Sequence, residues 1–535
     1  MQAPIDFQQL YQAWQRCQRN KRGTPAAQAY AMQLLDNLYH SLHTLQTRQY
    51  QPSPSIRFVV TQPKAREIYA ARFNDRVIHH VLIPQLEALY EPIFIHDVYS
   101  NRKGRGIHQA VQRLQCFMRQ VVGADSYPRK RAPRIADRNP LLQAAQGRCD
   151  SVCGYAENST AIAYPHSPAC FLQLDIKSCF NNINRQTVCS LLKKRLLKAQ
   201  RQGKISPEKQ DFLRYLSWTL LRHNPAHNAI ERSSTKAYGK VPPHKQLAHA
   251  APYCGLPIGD LSSQFFANVY LNELDQFVKH TLKCRHYLRY VDDFVLLHND
   301  PQQLLQWRGE IEGFLADNLG MQLKELALPK PVNQGADFLG YIIRPHYKLV
   351  RGRVVQHFKQ RLRQFAKHSI QSWADGQYLL NAQPGALQNL RAVVASYLGH
   401  FAHAHSAKLL LSIRQQFPWL DILFAFSAEA MRATPRWQGK GFTHFAQQQD
   451  FFKGQFSSAA INIQCGYTER IFPAMPLRHP VLSQRHPALD VGSHYSMRDT
   501  VSYVRVQEHG YLKSGIKHRV ANQFIFFIPE GVPHE

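Results

Sequence analysis

Acidic residues are scarce in this chain. Its 535 residues hold 36 Asp+Glu against 66 Lys+Arg, a formal net charge of +30. That imbalance points to a partner with dense negative charge, nucleic acid first; an unusually basic soluble protein is the plainer alternative. Long apolar runs are missing too. No stretch approaches the ~18 apolar residues of a membrane span, so no membrane partner is expected. The opening residues, MQAPIDFQQLYQAW, lack the charged and apolar regions of a secretory signal. Cysteine is sparse, ten in all, and forms no dense framework. Cys17, Cys116, Cys179, Cys189, Cys254, Cys284 and Cys465 read as isolated thiols, which fits a reducing cytoplasm. Cys149, Cys153, His166 and Cys170 are too loosely spaced to read as a zinc set; structural thiols or an exposed loop are preferred. There is no internal repeat, no Ser–His–Asp elbow and no phosphate-cradling P-loop.

The length allows roughly two to four domains. Residues 1–50 read as helices, closed by QPSPS. IRFVV reads as a strand and leads into a long basic helical stretch. Composition shifts near 122, where GADSYPRKRAPRIADRNP reads as an exposed insertion. Order returns at ACFLQLDIKSCF, a strand ending near Asp175. Two helical patterns follow, then the long polar connection NPAHNAIERSSTKAYGKVPPHKQLAHAAPYC, which reads as a functional loop. Residues 346–430 look helical and basic, and from about 435 the pattern turns to short strands such as TVSYVRVQ and NQFIFFIP.

The chemistry concentrates in RHYLRYVDDFVLLHND, residues 285–300. Asp292 and Asp293 sit inside an apolar, aromatic run, and burying an unpaired carboxylate costs several kcal/mol or forces its protonation. A strand–turn–strand with both Asp at its tip would present them to a site. If the strand ending at Asp175 lies alongside, three carboxylates meet. Oxygen ligands of this kind suit Mg²⁺, and two such ions can stabilise both oxygens of an in-line phosphoryl displacement. A dication also offsets the repulsion of clustered anions. Surface Asp at strand ends is the bland alternative for an isolated pair; the second strand and the basic context disfavour it.

YVDD together with FLQLDIKSCF resembles the reverse transcriptases, and several further blocks keep the family's order over roughly residues 1–425. PKAREIYAARFNDRVIHHVL resembles the fingers block, YEPIFIHDVYSNRKGRGIHQAVQRL the next, and GLPIGDLSSQFFANVYLNELD the block before the YVDD hairpin. ADFLGYIIRP resembles the primer grip and SYLGHFAHAHSAKLL a thumb helix. The resemblance implies an α+β right-hand polymerase of fingers, palm and thumb. The expected divisions are 1–121 for N-terminal helices and fingers, 122–168 for an insertion, 169–345 for the palm, 346–434 for a helical thumb, and 435–535 for a small α/β or β-rich accessory domain.

The implied activity is RNA-directed DNA synthesis from dNTPs, with Asp175, Asp292 and Asp293 catalytic. Those three and the Ile176 backbone would hold two Mg²⁺, with Mn²⁺ as an alternative. Lys64, Arg66 and Arg72 match side chains that hold the incoming triphosphate, and Phe180 matches the steric gate against a ribose 2′-OH. Ile258 stands where most of the family has Gln, and Gln264 follows on the same block. That departure resembles the diversity-generating-retroelement branch, where reduced fidelity accompanies loss of the Gln; an Ile cannot donate the hydrogen bonds a Gln can. Phe338, Leu339 and Gly340 fall in the primer grip, and Lys359, Arg361 and Arg363 lie on a basic helix suited to primer–template phosphates. The turn before the primer grip carries Glu325 and Leu326 where basic residues are common, so neither Lys324 nor Lys330 is assigned as a general acid. MRDTVSYVRVQEHGYLKSGIKHRV resembles the mismatch-recognition domain of DNA mismatch-repair proteins; an RNA-binding module, an oligomerisation module and a purely structural lid are the alternatives. The expected partners are a template or non-coding RNA, a DNA product and dNTPs, with a second copy or a second protein left open. The expected context is antiphage defence; a diversity-generating retroelement or a non-catalytic RNA-binding scaffold are the alternatives.

Overall fold

Asp6 begins the fold by capping the helix Phe7–Gln18, its carboxylate accepting the Gln9 N–H at 2.7 Å. Leu10, Ala13, Trp14 and Cys17 recur at helical spacing on that helix and are buried. With Pro25–Met32 and Leu34–Gln46 it packs on the helix Phe73–Tyr90, which is apolar on most of its circumference and therefore central. The structure is a computed structural model. It describes residues 5–61, 64–123, 169–324, 326–372, 378–382, 384–427 and 431–435, with strand segments at 460–465, 468–472, 503–506, 510–511, 519–520 and 524–528. The expected insertion at 122–168 lies outside the described residues except for its first two positions, as do Cys149, Cys153, His166 and Glu325.

IRFVV forms β1 (Ile56–Val60), antiparallel to β2 (Arg66–Ala70). A four-stranded sheet is built from β3 (Cys170–Asp175), β5 (His286–Tyr290), β6 (Asp293–His298) and β7 (Lys330–Pro331), in the order β5-β6-β3-β7. Helix Ile107–Val122 packs against β5 and β6, and helix Pro301–Leu319 against β6 and β3. Phe294 to Leu297 are accordingly buried without alternation, as in a strand covered on both faces.

The long polar connection after residue 223 is more structured than its composition suggests. It contributes β4 (Ile230–Glu231), which extends the β1–β2 pair in parallel with β1. Glu67 of β2 is buried, receives Arg57 Nε at 2.7 Å and accepts the Leu247 N–H at 2.8 Å, which pins the connection down. Tyr238 donates to the Arg57 carbonyl at 2.9 Å.

Two compact units result: Met1–Ala336 with Arg344–His346, and Asp337–Ile343 with Tyr347–Glu535. The second contains β9 (Tyr341–Ile343) and β10 (Lys348–Val350), joined to β8 (Ala336–Phe338) in one small sheet. Its helices Gly352–Ser369, Pro384–Phe401 and Ala407–Gln416 share a core around Phe358, Leu362, Leu398 and Phe401. Between the first two helices lie β11 (Ile370–Ser372) and β12 (Tyr378–Ala382). β12 pairs with Phe524–Ile528, so strand pairing crosses the boundary expected at 434. The elements described from 460 onward are all strands.

Candidate active site

Asp175 ends β3 directly opposite Asp293, the first residue of β6. Directly opposed residues on an antiparallel pair share a face, so the register alone brings these two carboxylates to one side of the sheet. The β5–β6 hairpin closes on the pair Tyr290 and Asp293, leaving Val291 and Asp292 as its tip. Val291 has φ +58°, a left-handed conformation that is costly for a β-branched residue and characteristic of strained functional turns.

The strained turn is anchored from beneath. Arg289, with no solvent exposure, donates from Nη1 to the Val291 carbonyl at 2.9 Å. Its Nε and Nη2 fork onto Asp275, also fully buried, at 2.8 and 2.6 Å. Tyr287 Oη adds a third bond to Asp275 at 2.8 Å. Burial works against the Arg289 charge, but the Asp275 charge and its hydrogen bonds outweigh it and hold the guanidinium protonated. Ile176 N–H donates to the Asp292 carbonyl at 3.2 Å, tying the end of β3 to the same turn.

The side chains show where charge collects. Burial, and then the Asp175 charge, push the Asp292 carboxyl above its ordinary value, while Arg66 and Lys324 pull it down. Lys324 Nζ lies 3.3 Å from Asp175 Oδ2, and its backbone N–H donates to the Asp175 carbonyl at 2.8 Å. A built-in ammonium therefore already partners one carboxylate. Asp293 is held differently: Gln173 Nε2 reaches its two oxygens at 3.0 and 3.2 Å. Among the described residues, no three His, Cys, Asp or Glu side chains are grouped closely enough to hold a metal by themselves. Asp175 and Asp292, two mutually repelling carboxylates, still suit Mg²⁺, which takes one or two protein carboxylates plus substrate phosphates.

The remaining expected residues divide between the two units. In the first, Lys64, Arg66 and Arg72 are exposed; of these, Arg66 acts on the charge of Asp292. After Asp175 the chain bends at Ser178, φ +47°, into the short helix Cys179–Asn182 that carries Phe180 half-buried against the core. The Phe180 carbonyl accepts the Leu256 N–H at 2.8 Å, and the Ile258 carbonyl accepts the Tyr69 N–H at 2.9 Å. Gly259, φ +131°, passes so close to β2 that a Cβ would stand 2.6 Å from the Tyr69 carbonyl oxygen. Asp260 then accepts the Ala71 N–H at 3.0 Å. The segment carrying Ile258 is thus stitched to the strand carrying Arg66, and the helix Leu261–Gln276 that follows carries Gln264 half-buried.

In the second unit Phe338 is fully buried, and Leu339 and Gly340 both have positive φ, +50° and +90°, forming the tight turn between β8 and β9. A Cβ on Gly340 would approach the His400 ring to 3.1 Å. Lys359 is half-buried, and Arg361 and Arg363 are exposed, on a helix whose opposite face buries Val355, Phe358 and Leu362.

Sequence reasoning named Lys324 without a role and passed over Gln173, Asp275 and Arg289. The signal was there for the last: an arginine inside an apolar strand needs a buried counter-charge.

Four antiparallel strands backed by helices, with carboxylates at a strained hairpin, define the palm of an α+β right-hand polymerase. A family model described as reverse transcriptase (RNA-dependent DNA polymerase) matches residues 61–343, more than half of the chain, and the chain belongs to that family. The group II intron-encoded protein LtrA of Lactococcus lactis subsp. cremoris is 21% identical, over 57% of this chain and 49% of the relative. The chain thus spans about half the length of the curated relatives it matches. Among solved structures it is similar to apo telomerase from Candida Tropicalis, at 12% identity, 65% of this chain, 52% of that one and a TM-score of 0.33. Telomerase from Candida albicans in complex with a TWJ fragment of telomeric RNA is matched at 12% identity, 70% and 60% coverage and a TM-score of 0.27.

Proposed function

We propose that this protein is an RNA-directed DNA polymerase that extends a DNA 3′ end from dNTPs on an RNA template. The observation that carries the reading is the register pairing of Asp175 with Asp293 beside the strained turn that carries Asp292. Mg²⁺ would be held by Asp175 and Asp292, with Asp293 and the Ile176 backbone beside them and Mn²⁺ as a substitute. Bound there, the metal would activate the attacking hydroxyl and neutralise charge on the phosphate oxygens. The chain's own groups do the rest. Arg289 fixes the Asp292 turn, Lys324 and Arg66 bring positive charge to the carboxylates, and Phe180 limits space beside Asp175. Lys64 and Arg72 would serve the triphosphate, while Phe338, Leu339, Gly340, Lys359, Arg361 and Arg363 would serve primer and template.

The biological setting we favour is antiphage defence with a dedicated non-coding RNA, supported by the residues beyond a minimal polymerase at 122–168 and after 435. Ile258 keeps a diversity-generating retroelement as the competing setting; a template and variable repeat beside the gene would favour it. The deciding experiment is dNTP incorporation on a primed RNA template. Asp292→Asn and Asp175→Asn should each lower the rate on the order of 10³-fold, by analogy with removing one group from a preorganised charge-stabilising site. Wild-type rates in the Asp292/Asp293 double Asn variant would leave the scaffold reading standing.

A further inference from the structure

A second cleft lies in the first unit, lined by none of the catalytic carboxylates. It is bordered by the chain at Arg48–Pro52 and by the helices Arg185–Arg201 and Pro207–Arg222, with a volume of about 1040 Å³. The second helix presents Arg214, Trp218 and Arg222 at four-residue spacing, one stripe on one face. Lys193 faces the same space from the first helix, and Arg48 from the chain segment. Asp211 is the carboxylate in the lining, and it is shared between Arg48 at 2.8 Å and Arg214 at 2.7 Å. The cleft therefore carries a surplus of positive charge.

Trp218 is 44% exposed, although its indole is the largest apolar side chain on that helix. The Arg222 guanidinium lies 5.8 Å from its ring centroid, and Arg48 lies 4.8 Å from that of Tyr215. Three buried polar atoms in the lining, Arg48 Nη1, Ser217 Oγ and His223 Nε2, have no hydrogen-bond partner. Buried polar atoms without partners are costly and rare, and these three make the floor beneath the cleft polar. Cations beside an exposed aromatic face are the two parts of a sequence-tolerant site for unpaired nucleotides, one for phosphates and one for bases.

We propose that this cleft binds a single-stranded nucleic acid segment outside the polymerase centre, with Trp218 stacking a base and Lys193, Arg214 and Arg222 engaging its phosphates. The segment is read by its charge and its unstacked bases. Such a site would hold the RNA away from the carboxylates while the template moves through them. Binding there needs no polymerisation, so it is measured whether or not the catalytic reading holds.

The test uses the full-length protein with a saturating primer–template duplex and an RNA of about a dozen nucleotides carrying 5-iodouridine, within the range of known single-strand sites. Ultraviolet crosslinking should label the peptide containing residues 207–222. Trp218→Ala should remove that crosslink and weaken oligonucleotide binding about tenfold, and Trp218→Phe should restore much of both. Replacing Lys193 and Arg222 by Gln should reduce the slope of log K against log salt by about 1.4, or about 0.7 per phosphate contact. A DNA oligonucleotide run in parallel distinguishes the source: equal labelling means any single strand is accepted, weaker labelling means RNA is selected. Crosslinks that avoid residues 207–222, or unchanged affinity and salt slope in the variants, overturn the proposal. Should Trp218→Ala lower the melting temperature, the exposed Lys193 and Arg222 replacements decide alone.

Discussion

Arg289 and Asp275 form a fully buried, two-pronged ion pair whose arginine also holds the carbonyl of Val291. The pair supports the turn that carries Asp292. Removing one partner of a buried pair typically costs about 3–5 kcal/mol because the other charge is stranded. Arg289→Met should therefore melt well below wild type and lose polymerase activity. Arg289→Met with Asp275→Leu removes the stranded charge and should recover much of the stability. It should not recover activity, since nothing then donates to Val291. Full activity in the double variant would show that the pair is only structural.

Asp292 is a charge the fold holds at a cost. Its pKa is raised by burial and by Asp175, so the stability it contributes when protonated is lost as pH rises through its folded pKa. In the presence of a chelator, Asp292→Asn should melt above wild type at neutral pH, and the gain should vanish in acid. With Mg²⁺ added, wild type should gain more than the variant. Equal melting curves at every pH, with and without the metal, would remove the electrostatic conflict.

Phe180→Ala tests the proposed role of Phe180 as a sugar gate. The ring sits half-buried five residues beyond Asp175, so removing it opens space while leaving the carboxylates in place. The kcat/KM ratio for matched rNTP over dNTP should rise at least several-fold, with dNTP activity retained. An unmoved ratio would make Phe180 ordinary core. The milder Phe180→Val serves if the alanine variant loses packing.

Asp260 offers a pH readout separate from the three carboxylates. Burial pushes its carboxyl up to about 6, partly opposed by the Ala71 N–H and Arg76, with Asp75 adding to the rise. An acid whose folded pKa lies above its unfolded value near 3.9 binds more protons when folded. Its contribution is present below about pH 4 and lost by about pH 6, on the order of 2–3 kcal/mol. Asp260→Asn keeps an acceptor for Ala71 and carries no charge. The stability of Asp260→Asn minus wild type should grow between pH 4 and about 6.5 and then level off. A difference independent of pH would contradict the raised pKa.

Much of this was legible in the sequence because it depends on local pattern. An apolar strand ending in Asp175 and a second apolar run interrupted by Asp292 and Asp293 were enough to expect clustered carboxylates, and the family resemblance of the blocks around them implied a palm. The strand IRFVV, the N-terminal helices and the basic helix Gly352–Ser369 followed from periodicity in the same way.

Long-range contacts decided the rest. The polar connection read as a functional loop without regular structure of its own, because nothing local shows that Glu67 will bind Leu247, nor that Ile230 will pair with Ile56. Lys324 acquires its place only when the chain returns beside β3. Asp275 and Arg289 are fourteen positions apart on a helix and a strand, and no periodicity links them. Sequence fixes which side chains are charged and which are apolar. The tertiary structure decides which charges are desolvated together, because burial and distance, not composition, set the energy of a buried ion pair or a strained turn.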